Sequence, residues 1–148
     1  MAIRRTFRLG LFAIIGAFLV IQLIPYGHDH SNPPVIAEPA WNSPGTRELA
    51  AAACFDCHSN ETAWPWYTSV APFSWLTQHD VEEGRVTLNF SEWNRPQETE
   101  VAEAINEGSM PPWYYRLLHS SSRLSDAEKA RLIAGLQATF RASPPPGG

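Results

Sequence analysis

Five consecutive residues, Cys54-Phe55-Asp56-Cys57-His58, constrain this chain more than any other stretch. Cysteines three apart on a helical turn lie on one face and point the same way. The imidazole of the next residue can then swing into the same space. These are the only two cysteines among 148 residues, so no third thiol competes for them. The spacing is that of c-type haem attachment: each thiol adds to one porphyrin vinyl group, and His58 reaches the iron as the proximal ligand. Two other chemistries use a Cys-x-x-Cys pair. A structural zinc site needs four protein ligands, and no second Cys/His pair of suitable spacing occurs here. A redox dithiol sits at a strand-to-helix step, and no such pattern surrounds the motif.

Charge narrows the partners. Eleven basic residues, three of them Arg4, Arg5 and Arg8, stand against fifteen acidic ones. The chain beyond the first few residues is therefore acidic. That makes a poor nucleic-acid binder, since phosphate contacts need Lys and Arg, and a better match for a basic patch on a redox partner.

The three arginines precede an apolar run from Leu9 to Ile24, broken only by Gln22. A positive flank before a hydrophobic run predicts a transmembrane signal-anchor over residues 1–25, its N-terminus in the cytoplasm. At ~1.5 Å per residue the run makes about 24 Å of helix, short against a core of about 30 Å, and Phe7, Arg8 and Tyr26 extend it. No small-residue cleavage site follows. The expected localisation is single-pass in the cytoplasmic membrane, with the cofactor domain on the periplasmic side. An oxidising compartment endangers the thiol pair, which implies a cytochrome c maturation system as partner.

Residues 26–43 hold Pro33, Pro34 and Pro39 and predict an extended linker. His28 and His30 flank Asp29 there and read as solvated. Ser43-Pro44 starts a helix, a capping hydroxyl followed by proline at the first helical position. The helix runs through Thr46 to Ala53 and delivers the cysteines at its end. Trp64-Pro65-Trp66-Tyr67 predicts an aromatic turn, either core or a wall against the haem edge. A backbone carbonyl, from Pro65 or Pro72, is expected to take the second ring nitrogen of His58. Further helices are expected over Phe73 to Gly84, over Gln97 to Glu107 closed by Gly108, and from the capping box Ser125–Glu128 to Phe140. The haem domain spans 44–141, and 142–148 is a flexible tail.

Met110 sits in the rigid loop Gly108-Ser109-Met110-Pro111-Pro112-Trp113 and is the only thioether besides Met1. It is the expected distal ligand, with His79 as the alternative and His119 or His30 behind it. Met/His ligation raises a haem potential and bis-His lowers it. Arg85 and Arg95, with Trp93, are weaker candidates for holding haem propionates.

The helix bearing Cys54 to His58, the later Met110-Pro111 loop and the closing helix resemble the class I cytochrome c plan. A closer resemblance is to the small haem-binding domain family of membrane-anchored bacterial proteins. It rests on Pro25-Tyr26-Gly27, Asn32-Pro33-Pro34, Cys54 to Thr62, Trp64 to Tyr67, Gln78 to Val81, Asn89 to Trp93, Met110 to Tyr114 and Leu124 to Glu128. The resemblance implies a single covalent haem c, a short anchor, and an Asn32-Pro33-Pro34 segment packed on the domain. The expected fold is all-α, a small cytochrome c-like domain after one transmembrane helix. The expected role is electron transfer rather than enzymatic turnover, with periplasmic or membrane redox proteins as partners. A haem-based sensor or small peroxidase-like protein with a labile sixth ligand is the alternative.

Overall fold

The computed structural model describes residues 2–147; Met1 of the expected anchor and Gly148 of the expected tail lie outside the described residues. Among the described residues the architecture is all-α: there is no strand, only an isolated bridge between Ala37 and Glu92. In chain order the α-helices are α1 (Ala2–Ile21), α2 (Pro44–Ala53), α3 (Phe55–His58), α4 (Phe73–Thr87), α5 (Val101–Asn106), α6 (Trp113–Leu118) and α7 (Asp126–Ala142). Short 3-10 turns cover Trp66–Ser69 and Ser120–Ser122.

The expected transmembrane helix is not found. Among the described residues no helix is long and apolar enough to cross a membrane. That finding also overturns the expected single-pass localisation in the cytoplasmic membrane. The physical reason lies in where the helix begins and ends. Arg4, Arg5 and Arg8 are inside α1 rather than ahead of it, so any stretch of 18 residues within the helix contains all three. The uncharged remainder, residues 9–21, measures about 20 Å at ~1.5 Å per residue. Leu23 and Ile24 fall beyond the helix, in a turn closed by hydrogen bonds from Leu23 N to Val20 O (3.1 Å) and from Ile24 N to Ile21 O (3.3 Å).

The chain divides into two compact units. The first comprises Met1–Ser31 and Trp64–Asp80. There the Gln22 amide pairs with the backbone of one residue, donating to Ala71 O (3.0 Å) and accepting from Ala71 N (2.9 Å). The one polar residue in the apolar run is thus spent on tertiary structure. His30 stacks on Trp64 with ring centroids 4.5 Å apart, and its Nε2 lies 3.1 Å from Thr68 O.

The second unit comprises Asn32–Ala63 and Val81–Gly148. Ser43 caps α2 by accepting from Thr46 N, and Ser125 with Glu128 closes a full capping box on α7. The core joins Phe55, Leu88, Phe90, Trp93 and Ile105 to Leu132, Leu136 and Phe140 of α7. Its aromatic rings form a ladder: Phe55 to Phe90 at 5.6 Å, Phe90 to Trp93 at 6.1 Å, Trp93 to Phe140 at 5.2 Å. Phe55 belongs to the thiol motif, so the ladder seats that motif on the core. The proline-rich segment is tied in too. Asn60 donates to Pro34 O (2.9 Å), Asn32 donates to Thr62 O (2.9 Å), and Trp93 N donates to Ala37 O (2.9 Å).

Two helix boundaries differ from the sequence reading. α4 continues through Gly84 to Thr87, because Gly84 serves a close approach rather than a stop. α5 starts at Val101, not Gln97. The Gln97 side chain is occupied elsewhere, accepting from Asn89 N (2.8 Å) and donating to Glu92 O (2.7 Å), which holds residues 97–100 out of the helix.

Candidate haem site

Cys54 is the hinge of the site, ending α2 and opening α3 at once. Its carbonyl accepts from Cys57 N (3.2 Å) and His58 N (2.8 Å), so the two thiols and the imidazole come from a single turn. The sulfurs are not joined in a disulfide. Cys54 keeps some accessible surface, but protein atoms crowd the thiol and burial pushes it up to about 12. It is therefore a neutral thiol at ordinary pH, not a thiolate.

α4 positions the imidazole. The Nδ1 of His58 lies 3.0 Å from Gly84 O and 3.0 Å from Leu88 O. Both partners are carbonyl oxygens, so Nδ1 carries the proton and donates, which leaves Nε2 with the lone pair that an iron ligand needs. Burial lowers the His58 pKa below its ordinary 6.5, while the two carbonyls push it the other way. A neutral ring is the form that ligates.

The two carbonyls lie at the C-terminal end of α4, which carries the negative end of the helix dipole; Gly84 O also accepts from Leu88 N (3.0 Å), and Leu88 follows the last helical residue. Each carbonyl from Gly84 to Leu88 has a donor. His58 serves Gly84 and Leu88, the Arg95 guanidinium serves Arg85 and Val86, and Glu98 N serves Thr87 (3.0 Å). Close approach of α3 and α4 requires glycine at 84. A Cβ there would stand 2.5 Å from Cys57 O and 3.1 Å from Cys57 Cβ.

Asp56, between the cysteines, faces another way. Its carboxylate accepts from Ala63 N (2.9 Å) and from the Tyr115 hydroxyl (2.5 Å), tying α6 to the motif.

The remaining site residues of the sequence reading are placed as follows. Met110 lies between α5 and α6, 43% exposed, with its backbone N donating to Ala104 O (3.0 Å). His79 is exposed on α4 within the first unit. His30 is stacked as described, and His119 stacks on Tyr115 with Nδ1 3.1 Å from Tyr115 O. Arg85 and Arg95 are engaged with protein groups: Arg85 with Ser59 O, Thr62 and Asn32, and Arg95 with Glu92 and the end of α4. The Trp93 indole donates to Ser143 O (2.8 Å). Trp66 is largely exposed.

The carbonyls that orient His58 are Gly84 and Leu88, where the sequence pointed to Pro65 or Pro72. Their only local signal is a lone glycine inside a helical pattern, a mark of close backbone approach as often as of a stop.

The geometry disfavours the two other uses of the thiol pair. Among the described residues no group of three or more His, Cys, Asp or Glu side chains is gathered to hold a metal ion, and the turn follows a helix rather than a strand. A helical domain with a thiol pair and an oriented imidazole on one turn defines a class of cofactor-carrying module. The chain matches the haem-binding domain family over residues 16–138 and belongs to that family. No curated protein and no solved structure matches it.

Proposed function

We propose that the chain carries one haem c, joined through thioethers to Cys54 and Cys57. His58 is the proximal iron ligand and Met110 the distal one, and the module works as an electron carrier of the class I cytochrome c kind rather than as an enzyme. The observation that carries this reading is the His58 ring: its Nδ1 proton is committed to two carbonyls at 3.0 Å on the turn that bears both thiols. When bound, the haem supplies a one-electron iron couple. The protein's part is to fix the ring and to raise its basicity with the dipole of α4. A neutral thiol at Cys54 suits addition across a vinyl double bond, in which the S–H hydrogen passes to carbon and no oxidant is consumed.

The partners are redox proteins presenting a basic face, matched to the acidic balance of the chain, and a cytochrome c maturation system that keeps the thiols reduced. Nucleic acid is not among them.

A second reading draws on Met110. It is 43% exposed, and the bond described for it is made by its backbone. A loosely held thioether suits a haem-based sensor or peroxidase-like protein with a labile sixth position.

Two measurements test the proposal. Cys54→Ala with Cys57→Ala should abolish haem staining on a denaturing gel, and retained stain would refute attachment there. Spectra of the reduced protein with and without carbon monoxide separate the two readings, no shift supporting the carrier and a prompt shift the sensor. Met110→Ala should make the wild-type protein's closed centre responsive to carbon monoxide. An unaltered spectrum in that variant would move the distal role to a histidine, for which His79→Ala is the companion test.

A further inference from the structure

We propose that Arg85 is a positioning residue for His58, fixing the imidazole by clamping the backbone beside it to the end of α4. The inference rests on the reading of His58 as the iron's ligand. Arg85 follows Gly84, one of the two residues whose carbonyls hold the ring. Its Nε donates to Ser59 O (2.9 Å), the carbonyl of the residue directly after His58. Its Nη2 donates to Thr62 Oγ1 (3.0 Å) and to Asn32 Oδ1 (3.0 Å). One planar fork thus gathers three segments of the second unit at the point where the ligand leaves its helix.

The backbone on either side of His58 is then fixed. On the N-terminal side, His58 N donates to Cys54 O (2.8 Å). On the C-terminal side, Ser59 is fully buried, its Oγ donates to Phe55 O (2.8 Å), and Arg85 holds its carbonyl. Only the side-chain torsions of His58 are left to set, and the paired carbonyls of Gly84 and Leu88 set them. Arg95 completes the frame from α4's other terminal carbonyls and is itself held by Glu92 (2.9 Å). A lysine at 85 keeps the charge and most of the stem but cannot reproduce a rigid fork with separately aimed donors.

The test reads the ring itself. In ¹⁵N-labelled full-length chain, with and without haem, solvent exchange of the His58 Nδ1 proton is measured by NMR. The iron–imidazole stretching frequency is recorded on the loaded protein. Arg85→Lys should speed the exchange about tenfold, the scale of losing one charge-assisted hydrogen bond, and lower the stretching frequency. Thr62→Val, which removes one of the fork's acceptors, should move both in the same direction by less. Arg123→Lys is the matched control, because Arg123 also donates to two carbonyls, Arg116 O (2.6 Å) and Leu117 O (2.9 Å), away from the motif. It should leave both signals unchanged. Wild-type exchange in Thr62→Val and Arg85→Lys would overturn the proposal, as would an equal acceleration in Arg123→Lys. Should Arg85→Lys fail to fold, Thr62→Val decides alone. A wild-type chain that takes up no covalent haem would sink the functional reading, and proton exchange on the unloaded chain would still decide the clamp.

Discussion

The His58 turn and the Met110 loop, both in the second unit, are built in opposite ways. His58 has a ring nitrogen bonded to two carbonyls, a following carbonyl held by Arg85, and a neighbour, Phe55, rooted in the core. Met110 has one described backbone bond and a side chain substantially open to solvent. The difference teaches where the fold spends its order. The His58 ring is set by contacts within the protein, whereas the Met110 side chain stands largely open to solvent.

The strongest challenge to this contrast is removal of the seat beneath the turn. Phe90 is 1% exposed and stacks on both Phe55 and Trp93. Phe90→Ala should cost about 3–5 kcal/mol in urea unfolding of the unloaded chain. A cost near zero would mean that the turn does not depend on the core. Next comes Gly84→Ala, which puts a methyl 2.5 Å from Cys57 O and forces α3 off α4. A destabilisation of about 1–3 kcal/mol is expected, along with loss of the protected Nδ1 proton.

Acid provides a gentler probe. His58 is depressed by burial, so the folded chain keeps it neutral while the unfolded chain protonates it. Its contribution to stability is fully present above the ordinary 6.5 and is lost as pH falls from there through the depressed folded value. The slope from this one proton is at most about 1.4 kcal/mol per pH unit. Glu38, held down by Arg47, and Glu92, held down by Asn60 and Arg95, add their losses only below the ordinary 4.5. Urea midpoints of the unloaded chain between pH 7.5 and 5 should therefore fall. The iron, by occupying Nε2, should flatten that fall in the loaded protein. A flat profile in the unloaded chain would contradict the buried neutral ring. The smallest effect belongs to the open side: Trp113, 65% exposed and close to Met110 in the chain, should change stability by under about 0.5 kcal/mol as Trp113→Ala in thermal unfolding of the unloaded chain.

The parts of this molecule that could be read from sequence are those whose physics is local. Ser43 before Pro44 and Ser125 with Glu128 announce helix starts because a cap is made within four residues. The spacing of Cys54 to His58 predicts one turn carrying both thiols and the imidazole, and the backbone bonds to Cys54 O make that turn. Legibility ends where a side chain is used by a distant segment. Gln97 looked like helix and is a bracket for Asn89 and Glu92. Arg85 and Arg95 looked available to an acid group and are occupied by backbone and carboxylate. Gly84 looked like a terminator, and its reason is a neighbour 27 positions earlier in the chain, Cys57. The N-terminal run falls short of a membrane span, because three guanidinium groups lie inside the helix that carries it and its last apolar residues lie outside.

Gln22 has a practical corollary. Its amide presents one N–H and one C=O to Ala71, as the backbone of a residue on a neighbouring strand would. The side chain is a removable rung of imitation main chain, set at the exit of a greasy segment. Leucine at that position would make the segment more oily and, by the same stroke, leave it less firmly fastened.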